Sequence, residues 1–331
     1  MSTGSTPPLG FIEEDKRTNE QQDTHLSIMN AMPKFSMPKN FFGATPPNGT
    51  KVLWTDLWKH PKVIKVFGKA FFGIWQLTGS CVGAAGGNVV FTQLCIDIVK
   101  NNERETPVMP FWLYPYGISR KLAGFKGKGE GSLGSTFVKA LTQYGCPSTT
   151  DPALKLPMPK SNTEKGICWT EDIEYQWSDG NFAPQSVRDV SKTKLIRTAT
   201  PVYDAVSVRD SILNGYCLTR AAGGTNYVEY GTATVREGAC IGRHNGKGGH
   251  QMSWLGYWHH PILGELIWEQ NQWSGNAYPV DPAGGARGGC WITMDAVQRI
   301  CDSKEVFSFS QYDGYPAQPE IWDWDKQRVI G

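Results

Sequence analysis

The sequence predicts an α+β fold of two lobes, one helical and one a strongly bent antiparallel sheet. Three observations predict it. Val90, Leu94 and Ile98 recur every four positions, with Phe91, Cys95 and Val99 beside them, which is the spacing of a buried helix face. From residue 216 onward the chain turns to short β-prone runs closed by Gly and Pro. Helices gathered first and strands second, rather than alternating, is the order of segregated α+β layers. A cleft between two such lobes is a common place for a site.

The elements follow in order. Residues 1–50 are rich in Ser, Thr, Pro, Gly, Asn and Gln and lack periodicity, so 1–60 is expected as an extended N-terminal arm. Residues 61–305 read as the folded domain and 306–331 as a C-terminal tail packed on it, with the aromatic and acidic stretch Tyr312–Trp324 docked against a lobe. A helix is expected over 80–101, ended by Asn101 and Asn102. A second spans Thr136–Tyr144, capped by Ser135 and stopped by Gly145 and Pro147. Residues 147–195 read as irregular, and Val206–Asn214 as a third helix closed by Gly215. Strands are expected over Tyr216–Ala221, His250–Trp258, Leu263–Gln270 and Cys290–Met294.

Composition narrows the function classes. Of 331 residues, 40% are hydrophobic and 19% charged, which is globular rather than disordered. A net charge of +2 from 33 basic and 31 acidic residues gives no basic field for a nucleic-acid partner. The short basic run Lys59–Lys65 reads as a solvated segment. No apolar run approaches the ~20 residues of a membrane span, and the N-terminus lacks a signal peptide's basic and apolar regions. A cytoplasmic or virion-associated location, with no membrane partner, is therefore expected. The eight Cys show no CxxC and wide spacing, which suits small core residues rather than a disulfide framework. His244, His259 and His260 have no carboxylate or Cys at zinc-ligand spacing, so neither a metal nor another cofactor is expected.

Three segments carry chemistry together. Gln76-Leu77-Thr78-Gly79-Ser80-Cys81-Val82-Gly83 opens the first helix. A thiol at a helix N-terminus meets unpaired N–H groups and the positive end of the macrodipole, both of which favour thiolate. Gly86 and Gly87 inside that helix cost about 1 kcal/mol each against Ala, which tight packing from the other lobe would offset. Gly248-Gly249-His250 begins a strand that would hold an imidazole rigidly as a base. Trp268–Gly275 contains Asn271, which a hairpin through His259-His260-Pro261 and Gly264 returns beside His250. There its amide oxygen can accept the imidazole N–H and fix the tautomer.

The order Gln…Ser-Cys, then Gly-His opening a strand, then Asn-x-Trp-x-Gly resembles the papain family of cysteine peptidases. Phe111–Tyr114, Gly131–Ser135 and Tyr144–Pro147 are similar to its bacterial and phage members, and the resemblance covers roughly residues 65–300. It implies the papain-like two-lobed fold and hydrolysis of a peptide or protein substrate through an acyl-enzyme. Cys81 would be the nucleophile, His250 the proton shuttle and Asn271 its orienting group. Gln76 would share the oxyanion hole with the Cys81 N–H, and Trp273 would shield the pair. Gly131, Ser132, Leu133, Gly134 and Gly249 would lie along the substrate, with Gly131–Gly134 on the non-primed side. Gln76 stands one residue closer to Cys81 than the family's usual spacing, so the Thr78-Gly79 turn must tighten, which glycine at 79 makes possible because it tolerates positive φ. Thr78 replaces a common disulfide Cys, and Val82 replaces an aromatic residue. A papain-fold structural or binding protein of a larger assembly, its arm reaching an assembly partner, is the alternative.

Overall fold

In the computed structural model the residues described are 9–33, 45–100, 109–163, 165–223, 228, 231–245 and 248–310. The helical side centres on α3 (Cys81–Val99), buried along its whole length except at Leu94. A helix apolar on all sides must be wrapped on all sides. It is: α2 (Pro61–Phe67), α4 (Leu113–Leu122) and α5 (Gly134–Gln143) pack on it from the helical side, with α1 (Asn19–Ala31) lying outside on α5, and the sheet covers the rest. By length and composition α3 could cross a membrane, contrary to the expectation that no apolar run comes near that, but here it is the core helix.

A Cβ on Gly86 would stand 1.9 Å from the Phe137 ring, and one on Gly87 would meet Ile74 and Trp112. The packing that offsets these glycines therefore comes from within the helical lobe, not from the opposite one. The sheet reaches α3 at another point, where the Ser253 hydroxyl donates to the Ala85 carbonyl at 2.9 Å.

The segment expected to be irregular carries a hairpin, β2 (Ser161–Thr163) and β3 (Gly166–Cys168), and two seven-residue helices, α6 (Glu171–Trp177) and α7 (Gln185–Ser191). Thr170 caps α6 by accepting from the Ile173 N–H. The strands that follow are β4 (Thr198–Pro201), β5 (Cys217–Ala222), β6 (Thr234–Arg236), β7 (Ala239–Ile241), β8 (His250–His260), β9 (Gly264–Gln270), β10 (Gly289–Thr293) and β11 (Val306–Ser310). Helix α8 (Ala205–Leu213) lies between β4 and β5, and α9 (Met294–Cys301) between β10 and β11. The sheet runs β4-β11-β5-β8-β9-β10-β7-β6, with β1 (Lys51–Leu53) also paired to β8. It is antiparallel except where β10 meets β7. The β8–β9 hairpin pairs His260 with Gly264 and Ser253 with Gln270, as the sequence predicts, with an irregularity between Trp254 and Gly256.

Three further expectations change. The arm is not extended throughout: Asn19–Ala31 is helical, opened by a capping box in which Thr18 and Gln21 bond reciprocally. Ser135 does not cap α5; the helix starts at Gly134, and the Ser135 hydroxyl bonds His25 Nδ1 at 2.9 Å. The domain does not stop at 305, because Val306, Phe307 and Phe309 are buried in β11 between β4 and β5. Tyr312–Trp324 lies outside the described residues.

Candidate functional site

Cys81 is the first residue of α3, and the loop before it is tightly held. The Ser80 N–H donates to the Thr78 carbonyl at 2.7 Å, a three-residue turn. This turn takes up the short Gln76–Cys81 spacing. Gly79 does not adopt positive φ. Its glycine is needed for space: a Cβ there would stand 2.7 Å from the Leu9 carbonyl oxygen and 2.9 Å from Glu130 Cβ. One carboxylate, Glu174, clamps the loop by accepting from the Leu77 and Thr78 N–H groups and from the Thr78 and Ser80 hydroxyls. Burial raises its pKa to about 7, although these four donors pull the other way. The Gln76 side chain is buried, and its amide nitrogen donates to the Thr78 carbonyl at 2.9 Å. Its own N–H donates across to the Gln272 carbonyl.

His250 opens β8 and is fully buried. Its Nε2 lies 2.9 Å from Asn271 Oδ1. The amide orientation has a cause: Tyr278 donates its hydroxyl to the Val228 carbonyl, so toward Asn271 it accepts, and Asn271 Nδ2 donates to it at 2.6 Å. Oδ1 must then face the ring and accept from Nε2–H, which leaves the Nδ1 lone pair as the basic one. Trp273 stacks on the imidazole with centroids 4.3 Å apart and planes 17° apart. The Cys81 thiol meets the backbone amide of Gln251, the residue after His250, so the start of α3 lies against the start of β8.

The arm fills that place. Ser132 N–H donates to the Gly10 carbonyl at 2.8 Å, and Ile12 N–H to the Ser132 carbonyl at 3.0 Å, a parallel bridge centred on Phe11 and Ser132. From the other lobe, the Gly249 carbonyl accepts from Phe11 N–H at 3.4 Å. A Cβ on Gly249 would stand 2.0 Å from the Phe11 carbonyl oxygen. Residues 10–12 thus lie between Ser132 and Gly249. Cys81 beneath them is 0% exposed. Burial pushes its thiol up to about 12, against the lowering expected from the helix N-terminus; amides of Gln251, Gly10 and Val82 offset this only in part. Burial likewise lowers His250 to about 3. Covered, the pair is a neutral thiol and a neutral imidazole. The amide of Gly10 offers the sulfur a donor rather than a carbonyl carbon.

Beyond residue 12 the arm is anchored on both sides, α1 packing on α5 and the arm's side chains reaching Glu305 at the start of β11. Arg17 pairs with Glu305, and His25 Nδ1 lies 3.2 Å from the same carboxylate. Among the remaining expected residues, Gly131 N–H donates to the Gly79 carbonyl, Leu133 precedes α5, and Gly134 leaves room for Glu305.

Sequence reasoning missed Glu174, Tyr278, and a buried group behind His250 in which Glu269 accepts from Arg220 and Trp254 and faces His244 at 3.5 Å. The Arg220 guanidinium, with bonds from neighbouring side chains, holds Glu269 near pKa 2 despite its burial. Arg220 and Glu269 carried one signal, being charged residues inside otherwise apolar or β-prone runs. The histidines weighed for metal are apart: His259 bonds the Pro46 carbonyl and His260 the Glu237 carbonyl. Among the described residues no group of three His, Cys, Asp or Glu could hold a metal ion. The eight cysteines are all buried, and none forms a disulfide.

No family model matches the chain, and no curated relative matches it. Solved structures do. Xylellain, a cysteine protease from Xylella fastidiosa, aligns with TM-score 0.53 at 11% identity over 94% of this chain and 100% of its own. Procathepsin B from Trypanosoma congolense gives 0.49 at 9% over 90% of each chain, and the bromelain protease from Ananas comosus 0.49 at 12% over 80% of this chain and 99% of its own. The fold is the papain-like two-lobed α+β fold.

Proposed function

We propose that this chain is a thiol-dependent peptidase held latent by its own N-terminal arm. The observation that carries this is the Tyr278–Asn271–His250 relay, which fixes the Nε2–H tautomer on a strand whose next residue, Gln251, meets the helix-N-terminal thiol. With the arm displaced, His250 Nδ1 takes the Cys81 proton and the sulfur attacks the substrate carbonyl. The Cys81 N–H and the second hydrogen of the Gln76 amide stabilise the oxyanion. The bond to the leaving amine then breaks as His250 returns the proton. Water, deprotonated by His250, hydrolyses the thioester and regenerates the thiol. Asn271 positions the ring, and Trp273 excludes water from that contact. The substrate's acyl side takes the place of residues 10–12 between Ser132 and Gly249.

The second reading is a papain-fold protein without turnover, serving a larger assembly. The complete burial of Cys81 and the Gln76 amide turned to Thr78 favour it. A peptidyl vinyl-sulfone probe tests the first. In the full chain with Gly10→Leu, the adduct should form on Cys81 alone and fall at least ~100-fold with His250→Ala. Labelling spread over several cysteines, or indifferent to His250, contradicts an activated thiol.

A further inference from the structure

Glu305 and Gln251 form a buried polar floor beside the cleft. Their side chains meet over Gly134, where a Cβ would stand 2.7 Å from Glu305 Oε2 and 3.3 Å from Gln251 Oε1. Glu305 is 2% exposed and Gln251 1%. Among the described residues, Glu305 Oε2 and both polar atoms of the Gln251 side chain have no hydrogen-bond partner. Gln251 follows His250, and its backbone amide meets the Cys81 thiol. The floor therefore borders the reacting sulfur on one side and the Gly131–Gly134 stretch on the other.

The arm brings a cation to this floor. Arg17 pairs with Glu305 Oε1, and its guanidinium lies 5.7 Å from the centroid of the Phe11 ring. Phe11 is in turn bridged to Ser132 and bonded to the Gly249 carbonyl.

We infer that the floor receives a cationic side chain of the substrate, arginine above all, on the residue just before the one that reacts, and that Arg17 stands in for it while the arm is docked. The inference rests on the peptidase reading above. The Gly10 amide lies on the sulfur and Phe11 is the next residue of the arm. With the acyl side in the place of residues 10–12, the reacting residue stands where Gly10 does and its predecessor where Phe11 does. An arginine rooted there lays its methylenes over the ground of the Phe11 ring and carries its head to the place of the Arg17 guanidinium. A buried carboxylate left without its partner is costly, so an empty floor favours any cation that refills it. The planar guanidinium can give a fork of two N–H groups to Glu305 and a third to Gln251 Oε1. A neutral side chain would leave the carboxylate buried and unpaired, which selects against it.

The test uses the full chain with Gly10→Leu, whose side chain cannot fit against Gly79, and Arg17→Ala, which vacates Glu305. It is run at pH 8, above the value of about 7 to which burial raises that carboxyl. Two peptidyl vinyl sulfones differ only at the second residue from the reactive group: arginine in one, its neutral isostere citrulline in the other. Adduct formation on Cys81 should favour arginine by about 10- to 100-fold, the discrimination of a charged hydrogen bond. Glu305→Gln in the same chain should bring the two rates together. The ratio is read within one chain, so a general loss of reactivity cancels. Equal rates at the outset, or a ratio unchanged by Glu305→Gln, overturns the inference and leaves the peptidase reading standing. No adduct on Cys81 with these probes or with a leucine analogue removes both.

Discussion

A Cβ built on Gly10 would stand 1.7 Å from the carbonyl oxygen of Gly79, two residues before Cys81. That carbonyl cannot yield easily, since it accepts from Gly131 N–H and from the Tyr116 hydroxyl, each at 3.0 Å. The arm crosses the site only because residue 10 has no side chain. Gly10→Leu should therefore displace the arm here while leaving the fold intact. A clash with backbone costs about 1–3 kcal/mol, so arm occupancy should fall on the order of 10- to 100-fold. Thiol alkylation of Cys81 should speed up by a similar factor over the parent. An unchanged rate would mean the arm does not limit access.

The arm should also loosen in acid. His25 is held neutral, at about 4 against an ordinary 6.5, chiefly by burial and then by the Arg17 charge. On a released arm it would return towards 6.5, so release takes up a proton between those values. Docking is strongest above pH 6.5 and is lost as pH falls towards 4, by up to ~3 kcal/mol. Amide exchange in 19–31, corrected for intrinsic rates, should rise between pH 7 and 5 in the parent. It should vary far less with His25→Gln, which keeps a polar partner for Ser135.

Glu174 acts on the loop rather than on substrate. Its carboxyl titrates near 7 in the fold against an ordinary 4.5, so the native state holds a proton that the unfolded chain has released. Its contribution to stability should decline by up to ~3 kcal/mol as pH rises from 4.5 to 7. Glu174→Gln should abolish that slope in denaturant titrations. A glutamine offers one acceptor oxygen where two face four donors, so the 76–80 loop should loosen. Turnover should fall on the order of 10²-fold through the oxyanion hole while vinyl-sulfone labelling of Cys81 persists. Equal losses in both would place Glu174 in folding alone.

The site was more legible than the frame around it. Cys81, His250, Asn271 and Trp273 sit on sharply patterned segments, and the β8–β9 hairpin follows from Pro261 and Gly264. Helix α1 was hidden because two of its three buried residues, Gln21 and His25, are polar and leave no apolar stripe. The state of the thiol was misjudged because local helix electrostatics are readable from sequence, whereas burial by a segment some seventy residues away is not. The need for glycine at 79 comes from the space taken by Leu9 of the arm and by Glu130, not from its tolerance of positive φ. Tyr278 and Glu174 were invisible for the same reason, since their partners are distant in sequence.

The central claim is that Cys81 and His250 hydrolyse peptide bonds once residues 10–12 leave the cleft. Its most direct test is the initial rate of casein hydrolysis by the full chain with Gly10→Leu, set beside the same chain carrying Cys81→Ala or His250→Ala. The account expects measurable turnover that falls at least ~10³-fold in each. A Gly10→Leu chain that is folded, labels at Cys81 and yet releases no peptide would contradict it and leave a scaffold.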